Sequence, residues 1–192
     1  MADRREALVL IDLQHDYFAD DELARCRDDL VAACNRLVRA AREAGVPVVE
    51  VRTVHETDGA TWTRTMREDG QGMALRGSAG AAPVDGLDVD GATVVEKTRD
   101  SAFFDTDLRR VLDEHSVDHV VLCGVSTESC VAATAIEAFA HDLGVSMVRD
   151  ATASVDRELH DDTLAQLADR YRQEVLDADE VCERWAAGAS DA

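Results

Sequence analysis

The chain opens on a continuous apolar run, Ala7-Leu8-Val9-Leu10-Ile11, which closes on an acid, Asp12. Unbroken apolar runs of this length suit strands buried on both faces of a parallel sheet. The period then changes. Leu23, Leu30, Cys34, Leu37, Val38 and Ala41 share one helical stripe, with Asp20 and Asp21 placed to cap it and Gly45 to stop it. Residues 46–51 read as a second strand, residues 93–96 as a short third that delivers Lys97, residues 119–124 as a fourth and residues 145–148 as a fifth. Between them, Leu108, Val111 and Leu112 mark one helix, and Ala132, Ala133, Ile136 and Phe139 are expected as the buried stripe of another. Leu159, Leu164, Leu167 and Tyr171 mark a last long helix before Glu174-Val175-Leu176, and a C-terminal helical turn is expected around Val181 and Trp185. Strands alternating with helices predict a parallel sheet covered on both faces, without linker or internal repeat. The whole chain, 1–192, therefore reads as one domain with a lid excursion at about 53–91. That excursion has little periodicity and carries the Asp-Gly pairs at 58, 69, 85 and 90, while Trp62, Met66 and Met73 argue that it is packed.

Charge changes the picture next. Forty acidic residues stand against 20 basic ones, a formal net charge of −20. Such a surface repels nucleic acid and anionic membrane, so neither is an expected partner. Self-repulsion acts against the compact state unless salt screens it, so the composition reads as adaptation to a salty cytoplasm. The competing explanation is an ordinary acidic protein from a GC-rich genome. No apolar stretch reaches membrane-spanning length and the N-terminus lacks a signal-peptide pattern, so a cytoplasmic location is expected. Five scattered cysteines without C-x-x-C spacing suggest neither a disulfide framework nor a zinc knuckle.

Candidate chemistry gathers at the predicted strand ends. Asp12, Lys97 and Cys130 each lie at or just past one, and in an open α/β sheet those ends share a rim. Singly, Asp12 reads as a helix cap, Lys97 as a surface charge and Cys130 as a small core residue. Jointly they supply a nucleophile, a base for its proton and a cation that holds both in register. Lys97 is the only lysine beside 19 arginines, which points to a need for a compact ammonium there. Cys130 follows a strand and a tight turn at a helix start, a position expected to favour a thiolate. Glu128 reads either a substrate amine or, the reading adopted, the cap of that helix. No phosphate-binding glycine motif follows any strand, which counts against a nucleotide binder.

Four segments carry a family resemblance: residues 8–16 with Asp12 and Gln14, Glu96-Lys97-Thr98-Arg99-Asp100-Ser101-Ala102-Phe103, Gly124-Val125-Ser126-Thr127-Glu128-Ser129-Cys130-Val131, and Arg149-Asp150-Ala151. The chain resembles the isochorismatase-like cysteine hydrolases, the superfamily of nicotinamidases, N-carbamoylsarcosine amidases and ureidoacrylate amidohydrolases. The resemblance implies a three-layer α/β/α fold whose six-stranded parallel sheet runs in the order 3-2-1-4-5-6, and a triad of Asp12, Lys97 and Cys130. It implies a cis peptide between Val125 and Ser126, and an oxyanion hole from the N–H groups of Ser126 and Cys130. The reaction implied is hydrolysis of a C–N bond in a small amide, ureido or carbamoyl substrate, with Asp12 as proton carrier. The alternatives are a vinyl ether hydrolase, which needs a general acid and not a thiol, and a silent member acting as a binding protein. Nicotinamidases carry a metal site on an Asp-x-His segment and a lid histidine; the matching Thr53-Val54-His55 lacks the acid, and no histidine follows until His115. No metal and no cofactor are therefore expected. Gln14, Phe18, His55, Trp62 and Phe103 are the candidate pocket residues, each with packing as its plainer role. A homodimer or homotetramer is expected from the same resemblance.

Overall fold

The computed structural model describes residues 4–190. Six strands, β1 (Glu6–Ile11), β2 (Val48–Thr53), β3 (Thr93–Lys97), β4 (His119–Val125), β5 (Gly144–Ala153) and β6 (Glu174–Leu176), form one parallel sheet in the order β3-β2-β1-β4-β5-β6. This is the order that the resemblance implies. Alternation along β1 builds the two core layers. Ala7, Val9 and Ile11 face α3 (Leu108–Glu114), α4 (Ala132–Ala140) and α5 (Arg157–Tyr171), whereas Leu8 and Leu10 face α1 (Asp21–Glu43) and α6 (Ala178–Ser190). Every residue of β1 and β4 is buried, which explains why both read as unbroken apolar runs.

Local chemistry sets the ends of α1. The Asp20 carboxylate accepts from the N–H groups of Glu22 and Leu23, and Gly45 follows the last turn at φ 70°. All six residues of the expected stripe are buried.

Other elements depart from expectation for physical reasons. β2 begins two residues late, because Val46-Pro47 is the connection and the Pro47 carbonyl accepts from Leu8 N–H at its entrance. The buried face of α4 is Ala132, Thr134, Ala135 and Ala138, while Ile136 and Phe139 are exposed. Small residues let this helix sit close on the sheet, and Phe139 instead packs edge-on against Tyr171 at 5.3 Å. Leu159 on α5 is likewise exposed. Within the lid, a short helix, α2 (Arg64–Asp69), is capped by the Thr63 hydroxyl and ended by Gly70. No helix among the described residues is long and apolar enough to cross a membrane.

The lid is fastened over the rim of the sheet. Asp16 accepts from Ala74 N–H at 2.6 Å, Gln14 bridges to Pro83, and Arg76 pairs with Glu56 and Glu96. A groove of about 550 Å³ lies elsewhere, between β3 and α3, and includes none of Asp12, Lys97 or Cys130.

Candidate active site

Four neighbouring strands deliver the site from their C-terminal ends. Lys97 is the last residue of β3, Thr53 the last of β2 and paired with it in register, and Asp12 follows β1. Beyond β4 come the cis peptide Val125–Ser126 and a π-helical turn, Thr127–Val131, that carries Cys130. The Ser126 carbonyl accepts from the N–H groups of both Ser129 and Val131, which closes that turn. The regular helix starts only at Ala132, so the thiol is presented by the wider turn and not by the α-helical start that the sequence suggested. Asp12 adopts φ 52°, a left-handed conformation more accessible to Asp than to most residues.

The three side chains meet in a site closed to solvent. Lys97 Nζ is 2.8 Å from Asp12 Oδ2 and donates to Cys130 Sγ at 3.3 Å. It also donates to Thr53 Oγ1 at 2.8 Å and to the Arg99 carbonyl at 3.0 Å. These three hydrogen bonds take up the three protons of the ammonium, so Asp12 Oδ2 is held by charge, as an ion pair without a hydrogen bond. Asp12 Oδ1 accepts from the Thr53 N–H and the Thr53 hydroxyl, both at 2.9 Å. Asp12, Lys97 and Cys130 are 0%, 2% and 5% exposed, so the three groups meet almost no solvent.

Burial decides the resting protonation states. It pushes the Cys130 thiol far up, the Asp12 carboxylate pushes it further, and Lys97 only partly offsets them. Burial and Asp12 thus work against the thiolate that the position of Cys130 in the sequence suggested. Burial alone lowers the proton affinity of Lys97, but the charges of Asp12 and Cys130 outweigh it and hold the ammonium above its ordinary value.

Two residues of this network were not anticipated. Thr53 had drawn notice only for the acid that it replaces, yet its hydroxyl touches Asp12 and Lys97 and accepts from Tyr17 Oη at 3.0 Å. Tyr17 lies on the short 3-10 turn after β1, and burial first, then the charges of Asp12 and Cys130, hold its phenol well above the usual range. A lone hydroxyl carries no periodic signal. The only hint was the placement of Thr53 at a strand end.

The residues named for the pocket have defined places. Gln14 is buried: its amide donates to the carbonyls of Thr53 and Ala81, and its oxygen accepts from Thr53 N–H, all at 2.8 Å. His55 Nδ1 donates to the Thr61 carbonyl at 3.0 Å, and burial pulls its pKa down. Trp62 covers Gly59 and Gly72 within the lid and donates from Nε1 to the Glu56 carbonyl at 2.9 Å. Phe103 belongs to the core layer that contains Cys130, and Phe18 to the opposite layer. Glu128 makes no capping hydrogen bond, and its buried Oε2 has no partner.

A family model described as the isochorismatase domain matches residues 6–180. A probable inactive nicotinamidase from Arabidopsis thaliana is 33% identical over 167 residues, covering 82% of this chain and 85% of the relative. A maleamate amidohydrolase from Pseudomonas putida is 29% identical over 178 residues, covering 88% and 81%. Among solved structures, an isochorismatase family protein from Desulfovibrio vulgaris superposes with a TM-score of 0.86 at 27% identity, covering 96% of this chain and all of the other. The N-carbamoylsarcosine amidase of Thermoplasma acidophilum gives 0.77 at 25% identity, covering 91% and 97%.

Proposed function

This chain belongs to the isochorismatase family, and from that footing we propose that it is a metal-independent cysteine hydrolase that cleaves the C–N bond of a small amide, ureido or carbamoyl compound. One observation carries the reading: a buried ammonium, Lys97, pairs with the Asp12 carboxylate at 2.8 Å and donates to the Cys130 sulfur at 3.3 Å. The sulfur attacks the acyl carbon while Asp12 takes the thiol proton. As negative charge passes from Asp12 to sulfur, the Lys97 ammonium, which faces both, stays beside it. The substrate oxygen gathers charge beside the N–H groups of Ser126 and Cys130, the proposed oxyanion hole. When the tetrahedral adduct collapses, the C–N bond breaks and Asp12 returns its proton to the leaving nitrogen. Water then attacks the thioester, Asp12 accepts its proton, and the departing sulfur recovers that proton as the acid is released.

The metal site of nicotinamidase-like relatives does not fit these residues. Thr53 offers a hydroxyl already engaged by three partners in place of an acid, and His55 Nδ1 is held by Thr61. Turnover is expected to survive a strong chelator, and loss of activity with release of stoichiometric metal would contradict this part of the reading. The presence of a thiol beside a base favours C–N cleavage over vinyl ether cleavage. The test is an ammonia-release panel of nicotinamide, pyrazinamide, carbamoylated amino acids and ureidoacrylate at high salt. At least one is expected to be hydrolysed by the native chain and by no Cys130→Ala sample.

A further inference from the structure

Thr53 Oγ1 has one proton and two lone pairs, and all three are committed. It donates to Asp12 Oδ1 at 2.9 Å and accepts from Lys97 Nζ at 2.8 Å and from Tyr17 Oη at 3.0 Å. The direction of each bond is forced. An ammonium can only donate, so one lone pair goes to Lys97. The raised phenol of Tyr17 keeps its proton and fills the other. The Thr53 proton is left to the carboxylate. Thr53 is 5% exposed, so no water competes for these positions.

We propose that Thr53, oriented by Tyr17, is the positioning residue of this site: its hydroxyl anchors Lys97 where the ammonium both pairs with Asp12 and donates to Cys130. The inference rests on the cysteine hydrolase reading and adds to it a requirement that the triad does not contain. Without the hydroxyl, Lys97 loses the anchor on its β2 side and settles on Asp12 Oδ2 and the Arg99 carbonyl. Its influence on the sulfur, now exerted from 3.3 Å, weakens. The backbone N–H of Thr53 still holds Asp12 Oδ1 in any substitution, so the base stays in place and the defect falls on the cation.

Thr53→Val keeps the shape and removes the oxygen; Thr53→Ser keeps the oxygen; Tyr17→Phe leaves one lone pair of the hub unfilled. The three are compared with native enzyme and Lys97→Ala in steady-state hydrolysis and in the pH dependence of iodoacetamide alkylation at Cys130. Thr53→Val is expected to lose kcat by about a hundredfold with little change in KM, the scale of misplacing a catalytic group by about an ångström. Its alkylation midpoint is expected to move upward towards that of Lys97→Ala. Thr53→Ser should recover most of both losses, and Tyr17→Phe should fall between Ser and Val. Native kcat and midpoint in Thr53→Val, or a serine variant as impaired as the valine, would overturn the inference. Should Thr53→Val fail to fold, native behaviour in Tyr17→Phe overturns the orienting role. A Lys97→Ala midpoint that moves while that of Thr53→Val does not defeats this inference alone. A midpoint unmoved by Lys97→Ala removes the lysine from the proposed triad and, with it, the footing of this inference.

Discussion

Asp12, Lys97 and Cys130 have almost no contact with water, so each must be understood through the others. Cys130→Ala removes one sulfur from a site held by many other bonds; it is expected to abolish hydrolysis at a stability cost of about 1 kcal/mol, checked by urea denaturation beside the activity assay. Lys97→Arg retains charge but is expected to be nearly inactive, because a planar fork cannot supply the converging donors of an ammonium in this space. The far end of the sheet makes a separate prediction. Burial, first among the causes, lowers the pKa of His119 to about 4, and the guanidinium of Arg4 leads in holding Glu174 down to about 2. Both folded values lie below the ordinary ones, so the stability they confer is present above the unfolded pKa and is lost as pH falls. Denaturation midpoints should decline from about pH 6.5 to 4 through His119, then from about pH 4.5 to 2 through Glu174. His119→Gln should flatten the upper window, and an unchanged slope there would contradict the assignment. At this scale the grouping of Asp12, Lys97 and Cys130 was legible because unlike reactive groups recur at strand ends. Thr53 and Tyr17 were not, because a hydroxyl has no such signature until its partners are seen.

Elements were legible where burial is two-sided or one-sided and regular. β1 and β4 read as continuous runs, and α1 as a stripe, because their surroundings impose those patterns. α4 misled because it is apolar nearly all round: alanine packs on the sheet and the larger Ile136 and Phe139 turn outward. The π-helical turn at Cys130 has no sequence period of its own. The approach of β4 to β1 offers a test at this scale. Gly124 has φ 121°, and a Cβ there would lie 2.0 Å from the Ile11 carbonyl oxygen. Gly124→Ala must therefore displace the strand end that leads to Cys130. A loss of more than about 3 kcal/mol, or failure to fold, is expected in denaturant titration. A variant of native stability would mean that this approach is looser than the structure has it.

The molecule as a whole carries a charge of −20 and a candidate active site that is buried away from it. Screening acts on the first and hardly on the second. The melting temperature should rise steeply from dilute buffer to molar salt, whereas the alkylation midpoint of Cys130 should change little. A flat melting curve would return the acidic composition to codon bias. The overall architecture was legible in the alternation of strands and helices, while the strand order came from the family likeness and is realised in the sheet. A packed lid was expected from Trp62, Met66 and Met73, but its fastening was not legible, since Arg76, Asp16 and Gln14 hold it through single contacts. The central claim, that substrate passes through a thioester on Cys130, is tested most directly by weighing protein quenched in acid during turnover of a hydrolysed amide. The account predicts an added mass equal to the substrate less its leaving amine, on the peptide containing Cys130 and absent from Cys130→Ala, which does not turn over. Undiminished turnover by Cys130→Ala, with no adduct on the native chain, would contradict it.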